Sequence, residues 1–385
     1  MKFLHLGDLH LGKNLGDYDL IEDQRYILEQ ILNIIKEEGV KALLIAGDVY
    51  DKTVPSEAAT NLLDEFLSKL AYEEVNVFMI SGNHDSDDRL NFGSSIFEAK
   101  KVFIAGRFKG ELYRKTLTDE YGDINVFLLP FVKASQVKRY YPEDIIENYD
   151  DAVRRVVKGA SINKSERNII VAHQFVAGKN SDPKPGGSEG ASVTSVGMVE
   201  KTGWDIFSDF DYTALGHIHS PQSVGEDNIR YSGSPLKYSL SEVNNNKSVP
   251  LIDIREKGEV DIRLIPLKPL RDLRHIKGEL KTLLKKENVV DKEDFIYVTL
   301  TDEELINDAM GIIRQVYKNT VKIDYDNSHT RGINAEDVIE LSRGRSFTEL
   351  ISDFYKLMYG CEISDDEYKA ISEAAKEVGV LNETD

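Results

Sequence analysis

The 385-residue chain is 41% hydrophobic, enough to bury a large core and to build two or three domains. Its net charge of −19 excludes a surface that is basic all over, so a polyanion would have to be met by a local face, with help from a partner or a second copy. One cysteine, Cys361, excludes an internal disulfide framework, and no apolar run is long enough to span a membrane.

The first strand, FLHLGDLH from Phe3, starts without a charged segment and apolar leader before it, and cleavage there would remove Asp8 and His10. The expected location is therefore cytoplasmic. His5, inside this strand, reads as a core residue. Gly7 to Lys13 spells G-x-x-x-x-G-K, but Asn14 follows where a phosphate loop has Ser or Thr, and Asp8 inside it would repel nucleotide phosphates. ATP binding by this segment is not expected.

Ile27, Ile31, Ile34 and Ile35 share one face of a helix that Gly39 can end. The run ALLIAGDVYD from Ala42 is a strand ending at Asp48, and Pro55 opens a helix containing Leu62, Leu63, Phe66 and Leu70. VFMISGNHD from Val77 is a strand that ends on Asn83, His84 and Asp85. After a strand near Val126, NIIVAHQF from Asn168 delivers His173. The Gly, Ser, Pro and Lys-rich stretch between Phe175 and Val199 is either a plain surface loop or a substrate-contacting flap. YTALGHIH from Tyr212 then delivers His217 and His219, and LIDI and VDIRLIPL around Lys257 and Gly258 read as a hairpin. Residues 1–266 are thus expected to form a layered α/β sandwich, a β-sandwich flanked by helices.

Five apolar runs that each end in a carboxylate, amide or imidazole predict one site, because strand ends of such sheets spill their loops onto a common rim. Two divalent ions would need two sets of ligands and a shared one. Asp48 is the candidate bridge, with Asp8, His10 and His219 on one ion and Asn83, His173 and His217 on the other. Mixed oxygen and nitrogen donors without a thiolate suit Mn²⁺. Such ions would polarise a phosphate oxygen, activate water and offset charge in the transition state of phosphoester hydrolysis. His84 would stand outside this shell and either stabilise the transition state or protonate the leaving oxygen, with Asp85 orienting it, or would simply bond a loop carbonyl.

Beyond Pro269 the pattern changes. Residues 267–328 are expected to form a small α/β domain, with a basic helix through Leu280 and Leu284, a strand from Phe295, a helix from Asp302 to about Tyr317 and a strand from Val321 to Tyr325. His275 and, further on, His329 read as solvated. The stretch DNSHTRGINAED from Asp326 reads as a linker, with bounds set at residues 329–342. Residues 343–385 read as a helix-loop-helix with capping boxes at Ser346/Glu349 and Ser364/Glu367. Phe347, Leu350, Ile351, Phe354, Leu357 and Met358 make an apolar stripe too wide for so short a pair to bury, and Ile371, Ala374 and Val378 offer a second. The pair packs either on its own neighbouring domain or on a partner protein.

The series GDLHLGK, GDVYD, GNHD, AHQF and GHIH resembles the calcineurin-like metallophosphoesterases and, within them, the bacterial SbcD-type nuclease subunits, along nearly the whole chain. The resemblance implies Mn²⁺-dependent DNA cleavage, as a 3′-to-5′ exonuclease on duplex ends and an endonuclease on single strands and hairpins, in double-strand-break repair. It implies that residues 267–328 cap the active site. The C-terminal helix pair would dock on the coiled-coil base of an SbcC-type ATPase, and the chain would form a homodimer through the helix of Leu62 to Leu70 and the segment Leu90 to Phe97. Lys13, Arg89 and Lys133 are then candidate neighbours of DNA. Archaeal and eukaryotic relatives carry a second histidine where this chain has Asp51, which either orients His84 or caps a loop. A phosphatase or cyclic-nucleotide phosphodiesterase for small or protein substrates is the alternative activity. A scaffold on a dead fold is disfavoured because every ligand position is filled.

Overall fold

Continuous apolar runs hold as strands when both their faces are covered, and the central strands of the first part of the chain meet this condition. The structure, a computed structural model, describes residues 1–178, 182–184, 186–187, 201–328, 330, 349–352, 355–356 and 362–377. It divides into two units, Met1–Leu273 and Arg274–Asp385.

The longer elements of the first unit begin with β1 (Lys2–Leu6), α1 (Ile21–Glu38), β2 (Ala42–Ala46), α2 (Glu57–Tyr72), β3 (Asn76–Ile80) and β4 (Val102–Ala105). Then come β5 (Tyr113–Asp119), β6 (Gly122–Leu129), α3 (Tyr149–Gly159), β7 (Arg167–Ala172), β8 (Tyr212–Leu215), β9 (Gln222–Val224), β10 (Glu226–Tyr231), β11 (Ser248–Ile254) and β12 (Val260–Pro266). They form two six-stranded sheets, in the orders β12-β11-β1-β2-β3-β4 and β9-β10-β8-β7-β6-β5. The centres of both sheets are parallel; antiparallel strands lie at both edges of the second sheet and at the β12 edge of the first, whose other edge, β4, is parallel.

Phe3, Leu44 and Phe78 of the first sheet share one buried cluster with Val126, Ile169 and Tyr212 of the second, so the sheets pack face to face. The other face of the second sheet packs Phe127 and Ile170 against Val153 and Val156 of α3. Burial of each large apolar side chain contributes about 2 kcal/mol. α1 buries Ile27, Ile31, Ile34 and Ile35 and ends where Gly39 adopts φ 67°, as its pattern indicates. α2 is opened by Ser56 rather than Pro55, because the Ser56 hydroxyl can accept a hydrogen bond from Ala59 N–H. β11 and β12 form the expected hairpin. His5 is fully buried with Nδ1 3.0 Å from the Tyr212 hydroxyl. Within the Gly-rich stretch, Lys184 N–H donates to Gln222 and the Gly186 carbonyl accepts from Ser241.

The second unit contains a three-stranded sheet of β13 (Leu273–Gly278), β14 (Phe295–Leu300) and β15 (Thr320–Tyr325), together with helices α4 (Ala309–Arg314) and α5 (Asp365–Glu377). Leu280, Ile296, Val298, Ile313 and Tyr317 form its core. Two expectations fail here. The basic helix through Leu280 and Leu284 is a single turn, Leu280–Leu283, because the residues before it pair as β13. The helix expected from Asp302 starts only at Ala309, since Asp308 adopts φ 51° and its carboxylate caps Gly311 N–H. At the start of the predicted linker Asn327 is buried, its amide bonded to the Asp302 carbonyl at 3.1 Å. The Ser364/Glu367 capping box is present. Leu350 and Ile351 are helical and half-buried. Phe347, Phe354, Leu357, Met358, Val378 and His329 lie outside the described residues, and Ala374 is exposed while its neighbour Ala375 is buried. His275 stacks on Tyr297 and bonds Thr299 at 2.8 Å.

An ion pair between buried Arg167 and half-buried Asp119 closes the end of the second sheet. The Arg167 guanidinium donates to Asp119 at 2.6 and 3.2 Å and to the carbonyls of Gly122 and Arg255. Burial would raise the Asp119 pKa, but Arg167 and the chain's amino terminus outweigh it and hold the group at about 2. Because the folded value is depressed, its contribution is complete above the unfolded value of about 4 and is lost as pH falls towards the folded one. Asp119→Ala should lower stability by about 3–5 kcal/mol at neutral pH, measured by urea unfolding, and should flatten the loss of stability across that acidic window. A variant matching the wild type at both ends would rule this account out.

Candidate metal centre

Strands β1, β2 and β3 run parallel in one sheet, and β7 and β8 run parallel in the other. The polar segments therefore leave their sheets at the same ends. Short hydrogen bonds then stitch the two sets of loops together. Asp8 N–H donates to the Gly47 carbonyl at 3.1 Å, and His10 N–H to the Asp48 carbonyl at 2.9 Å. Between the sheets, His217 N–H donates to the Asp8 carboxylate at 2.9 Å, and His173 Nδ1 lies 2.7 Å from the Ala46 carbonyl.

The backbone here is strained. Asp8, His10, Asp48 and His217 have φ of 54°, 42°, 47° and 93°, four of the nine non-glycine residues with positive φ among the described residues. Each such conformation costs about 1–3 kcal/mol and persists only where the surroundings enforce it, so its concentration at one rim marks a functional site. Two glycines permit the close approach. A Cβ at Gly82 would come 2.1 Å from Asp48 Oδ1, and one at Gly216 would come 1.9 Å from the Ala46 carbonyl oxygen.

The structure brings Asp8, His10, Asp48, Asn83, His173, His217 and His219 together, all buried except the half-buried Asn83. His10 Nε2 and His219 Nε2 face each other at 3.1 Å. Asn83 Oδ1 is 3.1 Å from His173 Nε2 and 2.9 Å from His217 Nδ1. Asp48 Oδ2 lies between the two sets, 3.6 Å from His10 Nε2 and 3.4 Å from His173 Nε2. Among the described residues, three groups have ligand atoms within 4.8 Å of one another: Asp8, His10 and His219; His10, Asp48 and His84; and Asp8, Asp48 and His173. Two imidazole nitrogens turned towards each other, and an amide oxygen faced by two more, form a donor set that suits cations of the borderline class.

Electrostatics point the same way. Burial lowers His10 to about 4 and His217 to about 3, so both rings are neutral and ready to offer a lone pair. Burial would also lower His173, but the Asp48 carboxylate reverses it to about 9. Asp48, which burial would raise, is held well below the usual carboxylate range by His173 and His10. Asp8 is raised to about 6 by burial, against the pull of His219 and His173. A divalent charge at such a centre inverts the local balance and holds carboxylates ionised and imidazoles deprotonated.

Around this cluster the structure revises several roles. Asp85 does not reach the His84 ring. Its buried carboxylate accepts from the N–H groups of Val49, Tyr50 and Gly82 at 2.9–3.0 Å, tying the second and third loops together, and burial with the nearby Asp48 charge raises it to about 6. His84 Nδ1 instead lies 3.0 Å from the Asp51 backbone carbonyl, and its N–H donates to Asp48. Since a carbonyl only accepts, Nδ1 carries a proton, which leaves Nε2 as the ring nitrogen that can exchange one. The Asp51 side chain pairs with Lys13 Nζ at 2.7 Å and lies 3.5 Å from His10 Nδ1. Lys13 is therefore committed to Asp51, whereas Arg89 and Lys133 are exposed.

Four buried residues carried no signal in the sequence. Gln24 accepts from Gly12 N–H and donates to the His10 carbonyl, and the Tyr238 hydroxyl donates to the Leu9 carbonyl, fixing the first loop. Glu242 and Lys247 pair at 2.5 Å beside His219. No motif spacing links these four to the loops they hold; only the fold brings them there.

Comparison with known proteins fits this geometry. Residues 1–221 match the family model of the calcineurin-like phosphoesterases, and residues 269–359 match SbcD_C, the type 5 capsule protein repressor C-terminal domain. Among solved structures, the chain is similar to the GAP50 anchor of the inner membrane complex of Plasmodium, at 13% identity over 85% of this chain and 98% of that one, with a TM-score of 0.39. A dimetal phosphatase from Danio rerio matches at 10% identity over 70% and 98%, with a TM-score of 0.39. The phosphoesterase YfcE from E. coli matches at 14% over 69% and 100%, with a TM-score of 0.26. On the family model, which spans more than half of its residues, the chain belongs to the calcineurin-like phosphoesterases, metal-dependent phosphodiester hydrolases, and carries an SbcD-type domain that follows the catalytic one in sequence.

Proposed function

We propose that this protein is a Mn²⁺-dependent DNA nuclease, a 3′-to-5′ exonuclease on duplex ends and an endonuclease on single strands and hairpins. It works in double-strand-break repair with an SbcC-type coiled-coil ATPase, in the cytoplasm and as a homodimer. The observation that carries the reading is the convergence of buried oxygen and nitrogen donors from two sheets at one strained rim, in a chain that also matches an SbcD-type domain at residues 269–359. That second match favours a nucleic acid over a small ester, because a small-substrate hydrolase has no evident need of an added module.

Asp8, His10, Asp48 and His219 would hold one cation, and Asp48, Asn83, His173 and His217 the other. When bound, the pair supplies Lewis-acid activation and charge neutralisation for phosphodiester hydrolysis. The chain's own groups do the rest. His84, anchored through Nδ1 on the Asp51 carbonyl, would in its doubly protonated imidazolium form give the Nε2 proton to the leaving oxygen and keep the one on Nδ1. Asp85 keeps the loops of Asp48 and Asn83 in register, so its role is structural support rather than proton transfer. Arg89 and Lys133 are exposed cations suited to DNA phosphates, while most of the grip on a duplex must come from the partner and the second subunit, given the net charge of −19. The stripe of Phe347, Leu350, Ile351, Phe354, Leu357 and Met358 is assigned to the ATPase.

The test is cleavage of labelled duplex, hairpin and single-stranded DNA with Mn²⁺, beside a small phosphodiester. DNA should be cut, chelation should abolish cutting, and His84→Gln should lower the rate by about 10²–10⁴ without loss of Mn²⁺ binding. Turnover of the small ester with no DNA cleavage would move the assignment to a phosphodiesterase. Gly82→Ala should displace Asp48 and remove both Mn²⁺ uptake and activity from a folded protein; retention of both would show that Asp48 is not confined as described. Replacing both Arg89 and Lys133 by Ala should weaken DNA binding on all sequences and lower the slope of log K against log salt by about 2. An unchanged slope would take these residues off the DNA path.

A further inference from the structure

The imidazoles of the two halves of the centre are backed differently. His173 Nδ1 rests on the Ala46 backbone carbonyl at 2.7 Å, and His217 turns its own Nδ1 inward to Asn83 at 2.9 Å. His10 and His219, whose Nε2 atoms converge at 3.1 Å, both turn Nδ1 to a carboxylate instead. His219 Nδ1 lies 3.5 Å from Glu242 Oε1, and His10 Nδ1 lies 3.5 Å from Asp51 Oδ1, a charge contact without hydrogen-bond geometry that leaves this buried nitrogen otherwise unpartnered.

Each of these carboxylates is in turn held by a lysine. Glu242 is fully buried and pairs with Lys247 at 2.5 Å. Lys247 is itself buried and donates to the His219 carbonyl at 2.9 Å and to the Ser234 hydroxyl at 2.8 Å, so one ammonium fixes both the backbone of His219 and the carboxylate behind its ring. Lys13 pairs with Asp51 at 2.7 Å in the same way. A carboxylate behind a ligating histidine fixes the tautomer that points the lone pair at the metal and makes the ring a stronger donor. A backbone carbonyl fixes the tautomer with less added charge.

We infer that Glu242–Lys247 and Asp51–Lys13 are paired positioning devices for His219 and His10, and that they make the Asp8, His10 and His219 half of the centre the tighter of two unequal divalent-cation sites. The inference rests on the two-ion reading above. It assigns Glu242 and Lys247, which lie outside every motif in the sequence, a place in metal binding. It also gives Asp51 a second role: its carbonyl orients His84 while its carboxylate orients His10.

The experiment is isothermal titration of the metal-free full-length protein with Mn²⁺, with no substrate present, beside thermal unfolding. Wild type should bind in two steps of different affinity. Glu242→Gln, which keeps the shape, and Asp51→Asn should each weaken the tighter step by about 10- to 100-fold and leave the weaker one in place, while Asn83→Ala should remove the weaker step and spare the tighter. If Glu242→Gln does not fold, Asp51→Asn, in a separate loop, decides alone. A tighter step unmoved in the folded variants, with only the melting temperature lowered, would mean that the pairs merely stabilise the loops and would overturn the inference while leaving the two-ion reading intact. A wild type that takes up no Mn²⁺ would overturn that reading and this inference with it.

Discussion

Everything in the first unit depends on the requirement that several ionisable side chains stay buried at one rim. A carboxylate or imidazole taken from water without partners is costly. Here Asp48 is satisfied by His10, His173 and the His84 N–H, Asp8 by the His217 N–H, and Asp85 by three loop amides. These bonds run between loops from two sheets, so the sandwich and the centre support each other. Loss of one contact is felt on both sides of it.

The requirement also explains the backbone. Placing Asp8, His10, Asp48 and His217 at positive φ is unfavourable, and glycine at any of these positions would relieve it. Side chains retained there indicate that their chemistry outweighs the local strain. The surrounding glycines, such as Gly82 and Gly216, occupy points where a single methyl would meet a carboxylate or a carbonyl. Cβ groups are kept where donors are wanted and removed where approach must be close.

Legibility in the sequence followed locality. The strands that carry the polar tips were readable because each is a short apolar run with its donors directly after it, and β1, β2, β3, β7 and β8 stand where those runs are. The hairpin of β11 and β12, the end of α1 at Gly39 and the Ser364/Glu367 cap were equally local signals. Less local features were misread. The helix expected from Asp302 gives way to turns up to Asp308, since a capping carboxylate in a left-handed conformation overrides helical spacing, and β13 was missed because its strand depends on pairing with β14. The pairing of Lys13 with Asp51 follows from no spacing in the sequence, and Asp85, next in sequence to His84, turns away to bond amides instead.

By itself the sequence determined which segments become strands and which donors stand at their ends, because both depend on neighbours a few positions away. The tertiary structure alone decided which donors face one another, which carboxylate backs which imidazole, and that Gln24, Tyr238, Glu242 and Lys247 close around the first half of the centre. Those relations join residues as far apart as His10 and His219, and they exist only once two sheets have packed and excluded water from the rim between them. Distance along the chain carries no trace of such a contact; its energy comes from burial, and burial is a property of the folded whole.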